Sequence, residues 1–147
     1  MSIKLTDLKP KAQAAAEKAL EDLVLRGIKC RVTSTLRTLA EQVALFAQGR
    51  SELEAVNSLR VKAGMYKLVA KDNLKTVTNC DGIKFKSNHQ TGMALDVVPE
   101  ENGRPVWPSL ADPRWKEIAK SFKAQGFAWG GDWAKFPDYP HYEYKGE

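Results

Sequence analysis

The chain has 147 residues, 43% hydrophobic and 28% charged, with 23 Lys and Arg against 18 Asp and Glu for a formal charge of +5. That length supplies one compact core and excludes two full-sized domains, and no apolar run reaches the ~18–20 residues that span a bilayer. Cys30 and Cys80 lie far apart and form no C-x-x-C pair, which excludes a zinc ribbon or a thioredoxin-like redox motif and leaves both as small buried hydrophobes. Behind its first lysine the N-terminal segment has no apolar block, so the chain reads as made in the cytoplasm without a cleavable export signal.

In chain order, residues 9–26 carry Ala16, Leu20, Leu23 and Val24 at helical spacing with Gly27 as a stop, predicting an amphipathic helix. Ile28, Cys30 and Val32 then alternate with Lys29, Arg31 and Thr33, the period of a half-buried strand running into the polar turn Thr33-Ser34-Thr35. A second helix is predicted over Leu39–Gln48, with Leu39, Val43, Phe46 and Ala47 inward, and a short third one near 52–63. Residues 66–86 form a lysine-rich stretch of weak pattern.

Met93–Val98 reads as a strand stopped by Pro99, and Asn102-Gly103 as the tight turn of a hairpin reaching Val106-Trp107. Asp112-Pro113 provides an N-cap and a first-turn proline for a helix whose stripe is Trp115, Ile118, Ala119 and Phe122. The tail ends in a strand near Pro140–Tyr144. Together these elements predict an α+β fold, a small mainly antiparallel sheet flanked by helices, in a single domain.

Both histidines sit in segments rich in potential metal ligands. In Ser87-Asn88-His89-Gln90-Thr91-Gly92-Met93-Ala94-Leu95-Asp96, strand alternation places Asp96 on one face with Ala94 and Val98. A carboxylate on an otherwise apolar strand needs a cation, a hydrogen-bond network or a metal. The second segment is Asp138-Tyr139-Pro140-His141. If strand pairing brought His141 beside His89 and Asp96, two imidazoles and one carboxylate would form a three-ligand zinc set with a fourth position for water. Asp138 is then the candidate base, with Asp132 and Glu143 as alternative carboxylates for that role.

The spacing Ser87-x-His89-x-x-Gly92-x-Ala94-x-Asp96, followed by Asp138-x-Pro140-His141, resembles the zinc peptidases of the D-alanyl-D-alanine carboxypeptidase (VanY) and L-alanyl-D-glutamate endopeptidase group, which includes phage endolysins. The resemblance extends to Ser34-Thr35-Leu36-Arg37-Thr38 with Glu41-Gln42, and to Trp129-Gly130-Gly131-Asp132-Trp133, and so covers the chain from about residue 30 to 144. It implies a fold of the VanY and hedgehog zinc-site type, with His89, Asp96 and His141 as Zn2+ ligands and Asp138 as general base assisting a zinc-bound water. Arg37 is implied to bind the scissile carbonyl and stabilise the oxyanion, and Ser87 to lie near substrate. An Asp at the base position, where the dipeptidase branch has Glu, resembles the endolysins that cut between L-Ala and D-Glu. Thr35-Leu36 departs from the glycine and aromatic that many members carry there.

The resemblance implies a peptidoglycan stem peptide as substrate, with D-alanyl-D-alanine carboxypeptidase or dipeptidase chemistry, or a non-catalytic zinc module, as alternatives. It also implies a monomer without an appended wall-binding domain, waiting in the host cytoplasm before release to the cell wall. Helix-turn-helix, RNP and zinc-finger signals are missing, which argues against nucleic acid. Residues 60–88 hold seven basic and two acidic side chains, so this segment alone has a net charge of +5. It reads either as a rim that attracts anions or as a solvated loop. The tail aromatics Trp129, Trp133, Phe136, Tyr139, Tyr142 and Tyr144 read as core and cleft wall.

Overall fold

The computed structural model describes residues 1–146. Its elements are α1 (Pro10–Leu25), β1 (Cys30–Ser34), α2 (Leu39–Ala47), α3 (Leu53–Lys62), β2 (Ala94–Glu101), β3 (Arg104–Pro105), α4 (Arg114–Ala124), β4 (Phe127–Trp129) and β5 (His141–Tyr144), with short 3-10 turns between some of them. The expected α+β class with an antiparallel sheet is what forms. By contacts the chain divides into two compact units, one of residues 2–36 and the chain from Gly92 onward, the other of Arg37–Thr91 with Met1.

The first unit holds the whole sheet, in the order β1-β2-β5-β4 with β3 paired to β2, and every pairing is antiparallel. Its core joins Leu95, Val97 and Val98 of β2 to Trp115, Ile118, Ala119 and Phe122 of α4, as the stripe in that helix predicted, and to Ala12, Ala15, Ala16, Ala19 and Leu23 of α1. The inward face of α1 is turned from the expected one: Val24 is 76% exposed and Leu20 only partly buried. At 100° per residue, Ala12, Ala16, Ala19 and Leu23 share one line, whereas Leu20 and Val24 each fall a step to the side. Arg26, just past α1, ties it to α4 through the Glu117 carbonyl at 3.0 Å and the Ser121 hydroxyl at 2.5 Å.

β2 does not stop at Pro99 but runs on to Glu101. The Glu100 amide donates to the Lys29 carbonyl at 3.0 Å on the β1 side, so the Pro99 nitrogen faces away from β1, beyond the β5 pairing, at the last position of the hairpin with β3, where the Pro99 carbonyl still accepts the Val106 amide at 2.9 Å. The hairpin at Asn102-Gly103 forms as expected, with φ of 52° and 76° at the two turn residues, although β3 is only two residues long. α4 begins one residue later than predicted. The Asp112 carboxylate still accepts the Arg114 amide at 2.9 Å and pairs with its guanidinium.

The second unit packs α2 against α3 around Ala47, Val56 and Leu68. Thr38 and Glu41 form a reciprocal capping box at the start of α2. The inner face of α2 is Glu41, Gln42, Ala44, Leu45 and Ala47; of the predicted face Ala47 is buried, Val43 and Phe46 are half-buried, and Leu39 is 53% exposed. Gln42, fully buried and hydrogen-bonded, occupies the position that an apolar count assigns to solvent. The long stretch after α3 is irregular and is pinned by side-chain to backbone bonds. Asn57 exchanges two bonds with Leu68, Gln48 donates to the Asp72 carbonyl, and Asn73 bridges Gly49 and Ser51. No helix among the described residues is long and apolar enough to cross a membrane.

Candidate metal centre

Asp96 and His141 face each other in the register of β2 and β5. His141 Nδ1 lies 3.3 Å from Asp96 Oδ1, and its Nε2 lies 2.9 Å from Glu143 Oε1, two residues along the same strand and so on the same face. The imidazole is buried, with the Trp133 ring tilted against it at 5.1 Å. Burial opposes a charge on the ring, but the hydrogen bonds to Asp96 and Glu143, reinforced by the charges of Asp96 and Asp138, outweigh it and push the pKa up to about 9.

The Asp138-Tyr139-Pro140-His141 turn is clamped along its backbone. The Asp138 amide donates to the Gly130 carbonyl at 2.9 Å, the Trp129 indole donates to the Tyr139 carbonyl at 2.7 Å, and the Val97 amide donates to the Pro140 carbonyl at 2.9 Å. The His141 amide closes the turn on the Asp138 carbonyl at 3.2 Å, which leaves the exposed Asp138 carboxylate on a rigid base beside the histidine. The glycines of Trp129-Gly130-Gly131 follow from this. A Cβ on Gly130 would lie 2.3 Å from the Asp138 carbonyl oxygen, and one on Gly131 2.2 Å from the Trp129 ring. Of the alternative carboxylates, Glu143 is engaged with His141 and Asp132 pairs with Lys123 at 2.6 Å.

The second unit carries Arg37, Ser87 and His89. The Arg37 amide donates to the His89 carbonyl at 2.9 Å, and its Nη1 donates to Gln42 Oε1 at 2.9 Å. Gln42 in turn donates to the Cys80 carbonyl at 2.8 Å and to Thr78 Oγ1 at 3.2 Å. His89 is 2% exposed, and its amide donates to Ser87 Oγ at 3.2 Å, so Ser87 shapes the loop that carries it. Gln90 tightens the same loop by accepting from the Ser87 amide and donating to the Gly82 carbonyl. Sequence reasoning noted Gln42 only as part of a motif. Its bracing of Arg37 links positions five apart to a loop almost forty residues away, a relation that no periodicity carries.

Cys30 and Cys80 are free and half-buried rather than fully buried. Trp129 and Tyr142 belong to the core as expected, whereas Phe136 is 79% exposed and lines no core.

A family model described as D-alanyl-D-alanine carboxypeptidase matches residues 81–144. The peptidoglycan L-alanyl-D-glutamate endopeptidase CwlK of Bacillus subtilis is 28% identical over 145 residues, covering 94% of this chain and 74% of its own length. The L-alanyl-D-glutamate peptidase of Listeria phage A118 is 28% identical over 136 residues, and there the match spans 91% of this chain but only 37% of the phage protein. Among solved structures, the Serratia marcescens L-Ala D-Glu endopeptidase ChiX superposes with a TM-score of 0.59 at 21% identity, over 95% of this chain and 82% of the other. A vancomycin-resistance D,D-pentapeptidase VanY variant in complex with Zn(II) gives 0.61 at 15% identity, over 95% and 73%. These structures share the fold. Taken together, the family match over residues 81–144 and the two relatives aligned along nine-tenths of the sequence make the chain similar to the VanY D-alanyl-D-alanine carboxypeptidases and the L-alanyl-D-glutamate endopeptidases.

Proposed function

We propose that this protein is a zinc peptidase that cleaves the stem peptide of bacterial peptidoglycan at the L-alanyl-D-glutamate bond. The observation that carries the proposal is the pairing of Asp96 and His141 in sheet register, with Glu143 holding the far side of the imidazole, in a chain whose relatives bear that activity in their names. His89, Asp96 and His141 are assigned as the zinc ligands. Two imidazoles and one carboxylate are a donor set that suits zinc and leaves a fourth position for water.

The ion would supply a Lewis acid and lower the pKa of a water it binds to about 7. Glu143 accepts the Nε2 proton of His141, which fixes the tautomer and leaves the Nδ1 lone pair for the metal. Asp138, on its clamped turn, takes the proton from the attacking water and returns it to the leaving amine. Arg37, braced by Gln42, holds the negative charge that develops on the scissile carbonyl. Ser87 keeps the His89 loop in shape next to substrate.

The family model's description favours a second reading, removal of a terminal D-alanine. Digestion of purified sacculi separates the two. The proposed cleavage exposes a new D-glutamate amine within the stem, whereas the alternative releases free D-alanine, and mass spectrometry of the fragments distinguishes them. Activity must disappear with a chelator and in His89→Ala; a chelator-resistant activity overturns the metal assignment. The likeness to a phage enzyme supports a lysis role, in which the protein reaches the wall once the host membrane is breached. That setting predicts no release of the protein from intact cells when it is expressed alone.

A further inference from the structure

The basic segment after α3 builds a second site in the Arg37–Thr91 unit, separate from the proposed peptidase chemistry. A cavity of about 560 Å3 opens there, lined by Arg60, Tyr66, Lys71, Lys75 and Gln48, with Asp72 as its acidic member. Arg60 comes from the last turn of α3 and is 3% exposed. Its Nε donates to the Tyr66 carbonyl at 2.6 Å and its guanidinium lies 4.8 Å from the centre of the Tyr66 ring, which is itself 77% exposed. Among the described residues these are its polar and ring partners, and no carboxylate pairs with it. An arginine is almost never this buried without an anion, because one carbonyl and one aromatic face satisfy few of its five donors.

We infer that this cavity is a binding site for a phosphoryl anion, held by Arg60, Lys71 and Lys75. Arg60, Lys71 and Lys75 against Asp72, with the Met1 ammonium offset by Glu41 at 2.8 Å, leave two net positive charges, matched to a dianion rather than to a lone carboxylate. The planar guanidinium provides the two parallel donors that phosphate oxygens accept, while the flexible lysines supply charge from the rim. Gln48 is already committed, since its amide donates to the Asp72 backbone carbonyl and holds the loop carrying Lys71 and Lys75 against α2. The apolar part of the wall, with Leu45, Leu68 and Val77, leaves room for an organic group attached to the phosphate. The ligand is therefore a free phosphate or the phosphate of a polyol phosphate, and the two differ in whether the organic part adds affinity.

Titration calorimetry with inorganic phosphate and with glycerol 3-phosphate, at constant ionic strength and in the presence of a metal chelator, tests the site. Wild-type protein binds both. Tighter binding of glycerol 3-phosphate identifies a polyol phosphate as the source, and equal binding identifies the free ion. Lys71→Ala with Lys75→Ala removes only exposed side chains and is expected to weaken binding on the order of tenfold or more while leaving the melting temperature in phosphate-free buffer unchanged. Arg60→Gln should abolish binding, and circular dichroism shows whether that variant is folded. If wild-type protein binds neither ligand, or if the double lysine variant binds both as tightly as wild type, the inference is overturned.

Discussion

Glu143 Oε1 lies 2.9 Å from Nε2 of His141, two residues away on the same face of β5. A carboxylate on the second nitrogen fixes which nitrogen carries the proton and how the ring is turned, and such partners of metal-binding histidines typically govern affinity by 10–100-fold. Glu143→Gln keeps the shape and loses the charge, so zinc affinity should fall by about tenfold, near the lower end of that range. Competition against a chromophoric chelator measures it. Unchanged affinity would mean that Glu143 does not orient the ring.

Gly130 is where the Trp129-Gly130-Gly131 segment meets the turn that carries Asp138. Gly130→Ala would put a Cβ 2.3 Å from the Asp138 carbonyl oxygen and 3.1 Å from the His141 Cβ, and backbone cannot yield as a flexible side chain would. Overpacking of this kind costs roughly 1–3 kcal/mol, and a displacement near 1 Å of a catalytic group lowers rate on the order of 100-fold. The expected result is a modestly lower melting temperature with a much larger loss of hydrolysis of sacculi. A variant with wild-type turnover would show that the position of Asp138 is immaterial.

Gln42 braces Arg37 from inside the second unit, accepting from its Nη1 and donating to the Cys80 carbonyl. Gln42→Leu has nearly the same shape but removes the acceptor of Arg37 Nη1 and the donor to the Cys80 carbonyl and Thr78 Oγ1, which costs about 1–3 kcal/mol for each buried group left short of a bond. Urea unfolding should register that loss. If Arg37 holds the developing charge as proposed, turnover of a soluble stem peptide should fall more than its KM rises, with zinc affinity unchanged.

The sequence carried some of this architecture plainly. α4 was legible because Asp112-Pro113 marks its start and Trp115, Ile118, Ala119 and Phe122 repeat at helical spacing, and all four are in the core. Asp96 and His141 were legible because two chemically demanding residues sat in short motifs on adjacent strands. The inward faces of α1 and α2 were not. In α1 four of the five buried residues are alanines, and alanine gives little hydropathy signal; in α2 the buried face includes a glutamate and a glutamine, the latter with partners in a remote loop. The clamps from Trp129 and Gly130 onto the Asp138 turn were also hidden, since they act through backbone atoms that no side-chain pattern encodes.

Phe122 stacks on Tyr142 with ring centres 4.4 Å apart and meets Phe127 edge-on at 5.2 Å, so it joins α4 to the strand that carries His141. It is fully buried. Phe122→Ala removes that volume from a closed core and should cost about 3–5 kcal/mol. Urea denaturation gives the value directly, and a loss under about 1 kcal/mol would mean that the surrounding rings collapse into the gap.

Cys30 lies opposite Pro99 at the β1–β2 pairing, where burial, helped by the charge of Glu100, pushes its thiol from 9.0 up to about 11. Because the fold favours the neutral thiol, its contribution to stability is complete below pH 9 and is lost as pH rises through about 11. The thiolate is the nucleophile, so the same shift makes Cys30 a poor target for alkylation near neutrality. Iodoacetamide at pH 8 should leave Cys30 largely unmodified in the folded protein, and its rate of labelling should climb steeply with pH until the thiol titrates. Peptide mapping by mass spectrometry follows the residue separately from Cys80. Rapid labelling of Cys30 at pH 8 would place it outside the sheet environment described for β1.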